Sequence, residues 1–192
     1  MRRIIAGACI VALSVGLSIP AAHADAYQTT IERFKSSELV QPYFKNAYAF
    51  AVFPVVGKAG FVVGGAYGDG KVYRGGQVVG TTTLTHVSVG FQLGGQAFSE
   101  IIFFQDKRAY EEFTRGEFEF DAKASAVVVT LGAQAQAGTA GASAGASIGP
   151  ATGKQLAASY NKGMAVFVHI KGGLMYEAAI GGQKFTFKPV SG

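Results

Sequence analysis

Residues 47–76 read AYAFAVFPVVGKAGFVVGGAYGDGKVYRGG, and after a short polar bridge residues 87–104 read VSVGFQLGGQAFSEIIFF. Val, Phe, Tyr and Ile come in short apolar runs, which is the composition of strands. Gly57-Lys58, Gly64-Gly65 and Gly68-Asp69-Gly70 punctuate the runs. Glycine accepts positive φ without steric cost, so these punctuations predict turns. The stretch therefore predicts a β-meander with strands at about 49–56, 59–67, 70–75, 78–92 and 95–105.

The order of the pieces resembles the SYLF domain family. That family's core runs as an apolar strand, Lys-Ala-Gly-Phe, Gly-Gly, a Gly-x-Gly turn and later Gly-x-Gln-x-Gly-Gly-Gln. Here the pieces stand as Lys58-Ala59-Gly60-Phe61, Gly64-Gly65, Gly68-Asp69-Gly70 and Gly90-Phe91-Gln92-Leu93-Gly94-Gly95-Gln96. A later Tyr-Ser…Lys-Gly strand has its counterpart in Ser159-Tyr160-Asn161-Lys162-Gly163-Met164. The resemblance covers roughly residues 38–188. It implies a lipid-binding domain for anionic or phosphorylated headgroups, phosphoinositides included. In fungal and animal members the domain accompanies an SH3 module and contributes to actin and membrane remodelling. This chain carries no SH3 module and no Trp, with Val79-Gly80 near the place of the family's Trp-Ser. The actin activity is therefore not expected here.

The first 24 residues read as a signal peptide. Arg2 and Arg3 give a charged start, Ile4 to Ile19 an apolar stretch and Ala22-His23-Ala24 a small-x-small cleavage site. The apolar stretch is short for a membrane span and ends at Pro20. Cleavage after Ala24 leaves one domain, residues 25–192, in a periplasmic or secreted protein. The 168 residues left suffice for a core. Losing Arg2 and Arg3 takes the net charge from +5 to +3, too mild for the basic stripe of a nucleic-acid binder. Cys9 lies inside the signal, so the mature chain has no thiol and no disulfide.

Residues 26–46 are helix-like, with Tyr27, Ile31 and Phe34 at helical spacing and a second short helix expected at 42–47 behind Pro42. Such a face can meet a membrane or cover a sheet, and periodicity does not separate the two; covering a core is the commoner use. Residues 106–114 (DKRAYEEFT) read as a short polar helix with Asp106 as its N-cap. Ala126 to Leu131 is a further apolar run. Residues 133–149 are nearly all Ala, Gly, Ser and Gln, either a linker or a strand of tiny side chains. The family carries a similar small-residue stretch, which favours the strand. Met164–Ile170, Leu174–Ile180 and Lys184–Lys188 predict three closing strands. The expected fold class is α+β: mostly antiparallel sheet, barrel- or sandwich-like, with one or two N-terminal helices and a short mid-chain helix.

Catalytic motifs fail on inspection. Gly141-Ala142-Ser143-Ala144-Gly145 and Gly145-Ala146-Ser147-Ile148-Gly149 match a nucleophile elbow, but composition alone produces both. No acid lies between Ser143 and His169, and Glu177 comes after in the wrong order. Gly153-Lys154 precedes Gln155 rather than Ser or Thr, and Ile148 stands where a P-loop needs Gly. His86 and His169 are isolated in strand-like runs. Glu117, Glu119 and Asp121 alternate onto one strand face that reads as solvated, beside Glu111 and Glu112. The sequence predicts no enzyme, no metal and no cofactor.

A binding surface is left. Arg33, Lys35, Lys45, Lys58, Lys71 and Arg74 cluster early in the mature chain among aromatic residues, Phe61 included. Cations beside rings suit a peripheral lipid site. Lys58 stands out because it matches the family's Lys-Ala-Gly-Phe and is expected at a turn between two strands. The expected partner is an anionic phospholipid or membrane surface, with no nucleic acid. The alternative is an envelope protein partner bound through an exposed strand edge.

Overall fold

The computed structural model describes residues 21–60, 63–89, 94–121, 124, 126–129, 159–173 and 180–190. Strand β1, Ala49–Gly60, shows why the sheet has two cores. Successive strand residues face opposite ways. Ala49, Ala51 and Phe53 pack into one cluster, while Phe50 and Val52 pack into another. Both faces are covered here, so the run is apolar throughout. Past Phe53 the next inward residue is Val56, a step of three. The register breaks at that step against both neighbouring strands. Pro54, which has no N–H to donate, sits in this bulge, and its carbonyl accepts from Ser99 Oγ at 2.8 Å.

Strand β2 (Val63–Arg74) pairs with one side of β1, and β3 (Gln77–Val89) pairs with β2. Strand β4 (Gly94–Phe104) returns to the other side of β1 rather than extending from β3. The five strands expected over 49–105 are four, because β2 runs straight through the expected break at Gly68-Asp69; the meander order holds from β1 to β3 and fails at β4. Strands β5 (Glu117–Glu119), β6 (Val127–Val128), β7 (Met164–Gly173) and β8 (Lys184–Pro189) complete one sheet of order β5-β8-β3-β2-β1-β4-β7-β6. All pairs are antiparallel except β6 with β7.

The sheet is curled into a half-barrel, and one segment connects its edges. From β5, beside β8, the chain passes through Phe120 and Ala124 to β6, beside β7. Phe120 N–H donates to the Gln183 carbonyl, Ile180 N–H to Ala124 and Val129 N–H to Val168. Phe53 on β1 meets Phe185 on β8 across the interior, ring centroids 5.7 Å apart. This is the barrel-like option: the described strands form a single sheet.

Helix α1, Ala21–Lys35, and helix α2, Gln41–Asn46, cover part of the convex face. Tyr27, Ile31 and Phe34 of α1 are buried with Val52, Ile101, Phe103 and Phe167. Burying each of the three contributes on the order of 2 kcal/mol, so packing holds α1 rather than helix propensity. The covering reading of the amphipathic face is the one observed. Helix α3, Lys107–Thr114, closes one end of the interior with Ala109 and Phe113. Asp106 is its N-cap as expected, accepting from Ala109 N–H at 2.8 Å.

The glycines serve differently from the sequence expectation. Among the described residues, the tight turn of this region is Gly75-Gly76, with φ of +58° and +80° and Arg74 opposite Gln77. Two successive positive φ values are what a two-residue type I′ hairpin requires. Gly64, Gly65, Gly68 and Gly70 lie inside β2 instead. A Cβ at Gly70 would fall 2.5 Å from the Phe53 ring, and one at Gly68 2.8 Å from Val56 Cγ2. These glycines make room for β1 side chains that cross the interior.

Candidate functional site at the mouth of the half-barrel

Opposite α3, the interior turns polar. Lys58 on β1 faces inward with Val56, and its register partners are Ala66 on β2 and Gln96 on β4. Ala66 in turn lies opposite His86 on β3. Lys58, His86 and Gln183 line a small pocket whose other walls are Ala66, Phe98, Val168 and Ile180. Lys58 is 7% exposed, so it is not the turn residue that the sequence predicts. The strand runs on to Gly60, and Lys58 points from mid-strand into the pocket.

Below the pocket lies Glu100, fully buried on β4 between Phe53 of β1 and Val168 of β7 in register. Burial raises its pKa from 4.5 to about 8, against a smaller opposing effect of the hydrogen bond from Gln183. The carboxyl is therefore mostly protonated at neutral pH. Gln183 Nε2 donates to Glu100 Oε2 at 3.2 Å. Glu100 Oε1, Gln96 Oε1 and Gln183 Oε1 are buried without a hydrogen-bond partner among the described residues. The pocket thus joins the Lys58 amine, the His86 imidazole and the Gln183 amide within apolar walls, and Gln183 links it to the buried Glu100. That combination suits a polar or anionic head on an apolar body.

The other predicted site residues do not gather around Lys58. Lys71 lies on the convex face, its Nζ 4.4 Å from the Tyr27 ring centroid. Arg74 stands over Tyr110 of α3, at the opposite end of the barrel. Lys35 pairs with Glu32 at 3.2 Å, and Lys45 is exposed on α2. Arg33 lies at the end of α1 near His169 and Lys171, whose pKa values are both lowered, by burial foremost and by Arg33 among the charges. Phe61 lies outside the described residues, as do the Gly90–Leu93 part of the family motif, the elbow-like serines and the 133–149 stretch. The expected cleavage point after Ala24 falls in the first turn of α1, and residues 1–20 are outside the described set.

Four of the five clustered acids are engaged by surface cations. Glu111 pairs with Lys107, Glu112 with Arg108, Glu119 with Lys184 and Asp121 with Lys162. Among the described residues no three His, Cys, Asp or Glu side chains come together as a metal site. Sequence reasoning passed over Glu100 and Gln183, and gave Gln96 a place in the family motif but no role in a site. A signal for Glu100 was present: it is a lone acid inside the apolar strand of residues 97–104.

The fold and its mouth define an α+β half-barrel domain with a polar interior pocket. A family model described as Ysc84, Las17-binding protein actin regulator, matches residues 85–185, more than half of the chain. The chain belongs to this family, that of the SYLF domain suspected from its motifs. The match runs from β3 to β8 and so takes in His86, Gln96, Glu100 and Gln183, while Lys58 precedes it. Among curated proteins no match was found.

Proposed function

We propose that the protein is a non-enzymatic lipid binder that receives an anionic headgroup at the mouth of the half-barrel, with Lys58 as the receiving cation. Family membership supports a lipid-binding or actin-regulator-related role at the coarse level. The observation that carries the finer reading is Lys58 itself. Lys58, 7% exposed as a residue, shares a pocket with His86 and Gln183, against Ala66, Phe98, Val168 and Ile180. One site then supplies both a charge for the headgroup and an apolar wall for the part of the lipid attached to it. The signal-like residues 1–24 support a periplasmic or secreted setting, where bacterial anionic lipids are the candidate targets. Binding of this kind makes and breaks no covalent bond.

Strand addition by a protein partner fits less well. The edge strands β5 and β6 are three and two residues long among the described residues, and the chain passes directly between them.

Sedimentation with vesicles of graded anionic content, at low and high salt, tests the proposal. Binding should rise with anionic lipid, fall with salt and weaken in Lys58→Met, which keeps the side-chain length inside the pocket. Binding to no vesicle overturns it.

A further inference from the structure

Among the described residues, helices α1 and α2 leave one end of the convex face uncovered, and that end is the one around the mouth. The five large exposed apolar side chains of the described residues are Leu39, Val55, Tyr67, Val87 and Val190. Three of them, Val55, Tyr67 and Val87, at 53%, 56% and 75% exposure, lie on this uncovered area. Tyr67 pairs in register with Gly57 on β1 and Thr85 on β3, and Val87 pairs with Gly65. Val55 is turned outward by the bulge, one outward step from Gly57. The positions between these side chains are Gly57, Ala59, Gly65 and Gly95, all exposed. A Cβ at Gly57 would meet nothing within 4 Å. The area is therefore apolar and nearly flat.

Cations border it on both sides. Ala97 of β4 lies opposite Gly57 and beside Gly172, next to Lys171 of β7. Lys171 carries Arg33 as its near cationic neighbour. At the other end Thr85 lies opposite Lys184 of β8, which pairs with Glu119 at 3.5 Å. Glu119 thus offsets Lys184 at this border; Asp69 is a second acid there, and the Tyr67 hydroxyl donates to its Oδ1 at 2.8 Å.

We propose that this uncovered patch, centred on Tyr67 and bordered by Arg33, Lys171 and Lys184, seats on an anionic bilayer. The inference rests on the lipid-binding reading above and names the surface that carries it out. Charge complementarity selects the occupant: basic residues flank an apolar, aromatic-bearing centre, the arrangement of a surface that lies at headgroup depth. Helix α1 is excluded as the inserting element, because Tyr27, Ile31 and Phe34 are spent on the sheet. Among the described residues, the patch has apolar side chains to offer without unpacking a core.

The chain has no Trp, so a single introduced Trp reports its own surroundings. Tyr67→Trp and Val190→Trp are compared on vesicles carrying brominated acyl chains; Val190 leads away from β8 near Val79, far along the strand from the mouth. On binding, Tyr67→Trp should shift to the blue and be quenched, with Val190→Trp unchanged. Lys171→Glu should weaken vesicle binding by roughly tenfold. Binding without a shift in Tyr67→Trp overturns the placement and leaves the lipid reading standing. Failure of the unsubstituted protein to bind any vesicle overturns both. A blue shift that grows with protein concentration in the absence of vesicles assigns the patch to a second copy of the chain and overturns the bilayer.

Discussion

Gln183 and Glu100 meet across the hollow of the sheet, Nε2 to Oε2 at 3.2 Å, although four strand-to-strand steps separate β8 from β4. The bond ties opposite walls of the curled sheet together. Gln183 also holds the closing segment, since its carbonyl accepts from Phe120 N–H and its own N–H donates to Ile180. One residue therefore links the edge-to-edge connection to the interior wall.

Glu100→Gln should stabilise the protein at pH 8. The buried carboxyl titrates near 8, against 4.5 for the ordinary group, so the folded state binds more protons than the unfolded one between those values. Stability contributed by the neutral carboxyl is full below about 4.5 and is lost as pH rises toward 8. The amide keeps the acceptor for Gln183 and removes the titration. Denaturant unfolding should give a gain of a few kcal/mol at pH 8 and none at pH 4.

His169 produces a dependence of the opposite sign. Burial lowers its pKa below 6.5, with Arg33 and Lys171 adding to the effect and the contact of Nδ1 with the Val129 carbonyl, 3.3 Å, opposing it. The unfolded chain takes up the proton first as pH falls. Stability should therefore be intact above about 6.5 and decline below it, and His169→Gln should flatten that decline in melts between pH 7 and pH 5.

Gly70→Ala should destabilise the fold by about 1–3 kcal/mol, because the new methyl group enters the Phe53 ring. Phe53→Leu in the same chain should recover part of the loss. Thermal melts of the two single variants and the double variant measure this coupling.

Asp106→Ala should cost about 1 kcal/mol in urea unfolding, since the first turn of α3 loses the oxygen that accepts from Ala109 N–H. Asp106→Asn should recover most of it, as the amide oxygen can accept the same bond.

Local signals were readable in the sequence and long-range ones were not. Tyr27, Ile31 and Phe34 announced α1 by spacing, and Asp106 announced α3 by its capping oxygen. Glu117, Phe118 and Glu119 announced a half-buried strand by alternation, and the structure keeps both acids out and Phe118 against the core. Gly68 and Gly70 misled because glycine serves two purposes, turning a chain and yielding space to a neighbour. Which purpose applies depends on Phe53 and Val56 of another strand. Lys58 was singled out through its motif, yet its inward direction comes from the bulge at Pro54, which resets the alternation three residues on. The pocket's other polar groups, His86 and Gln183, and Glu100 behind Gln183, come from separate parts of the chain. They become neighbours only after the sheet curls, and nothing local to any of them carries that information.

The strand order also dictates when this protein can finish folding. Strands β1, β2 and β3 are joined by short connections and can zip together early, but β8, Lys184–Pro189, must then pair along β3. About a hundred residues separate those partners, and closing so long a loop is slow. Until the tail docks, Phe53 lacks Phe185 and Glu100 lacks Gln183. The last strand is the stave that completes the cask, so shortening the chain at that end should leave an open, adhesive intermediate rather than a slightly smaller protein.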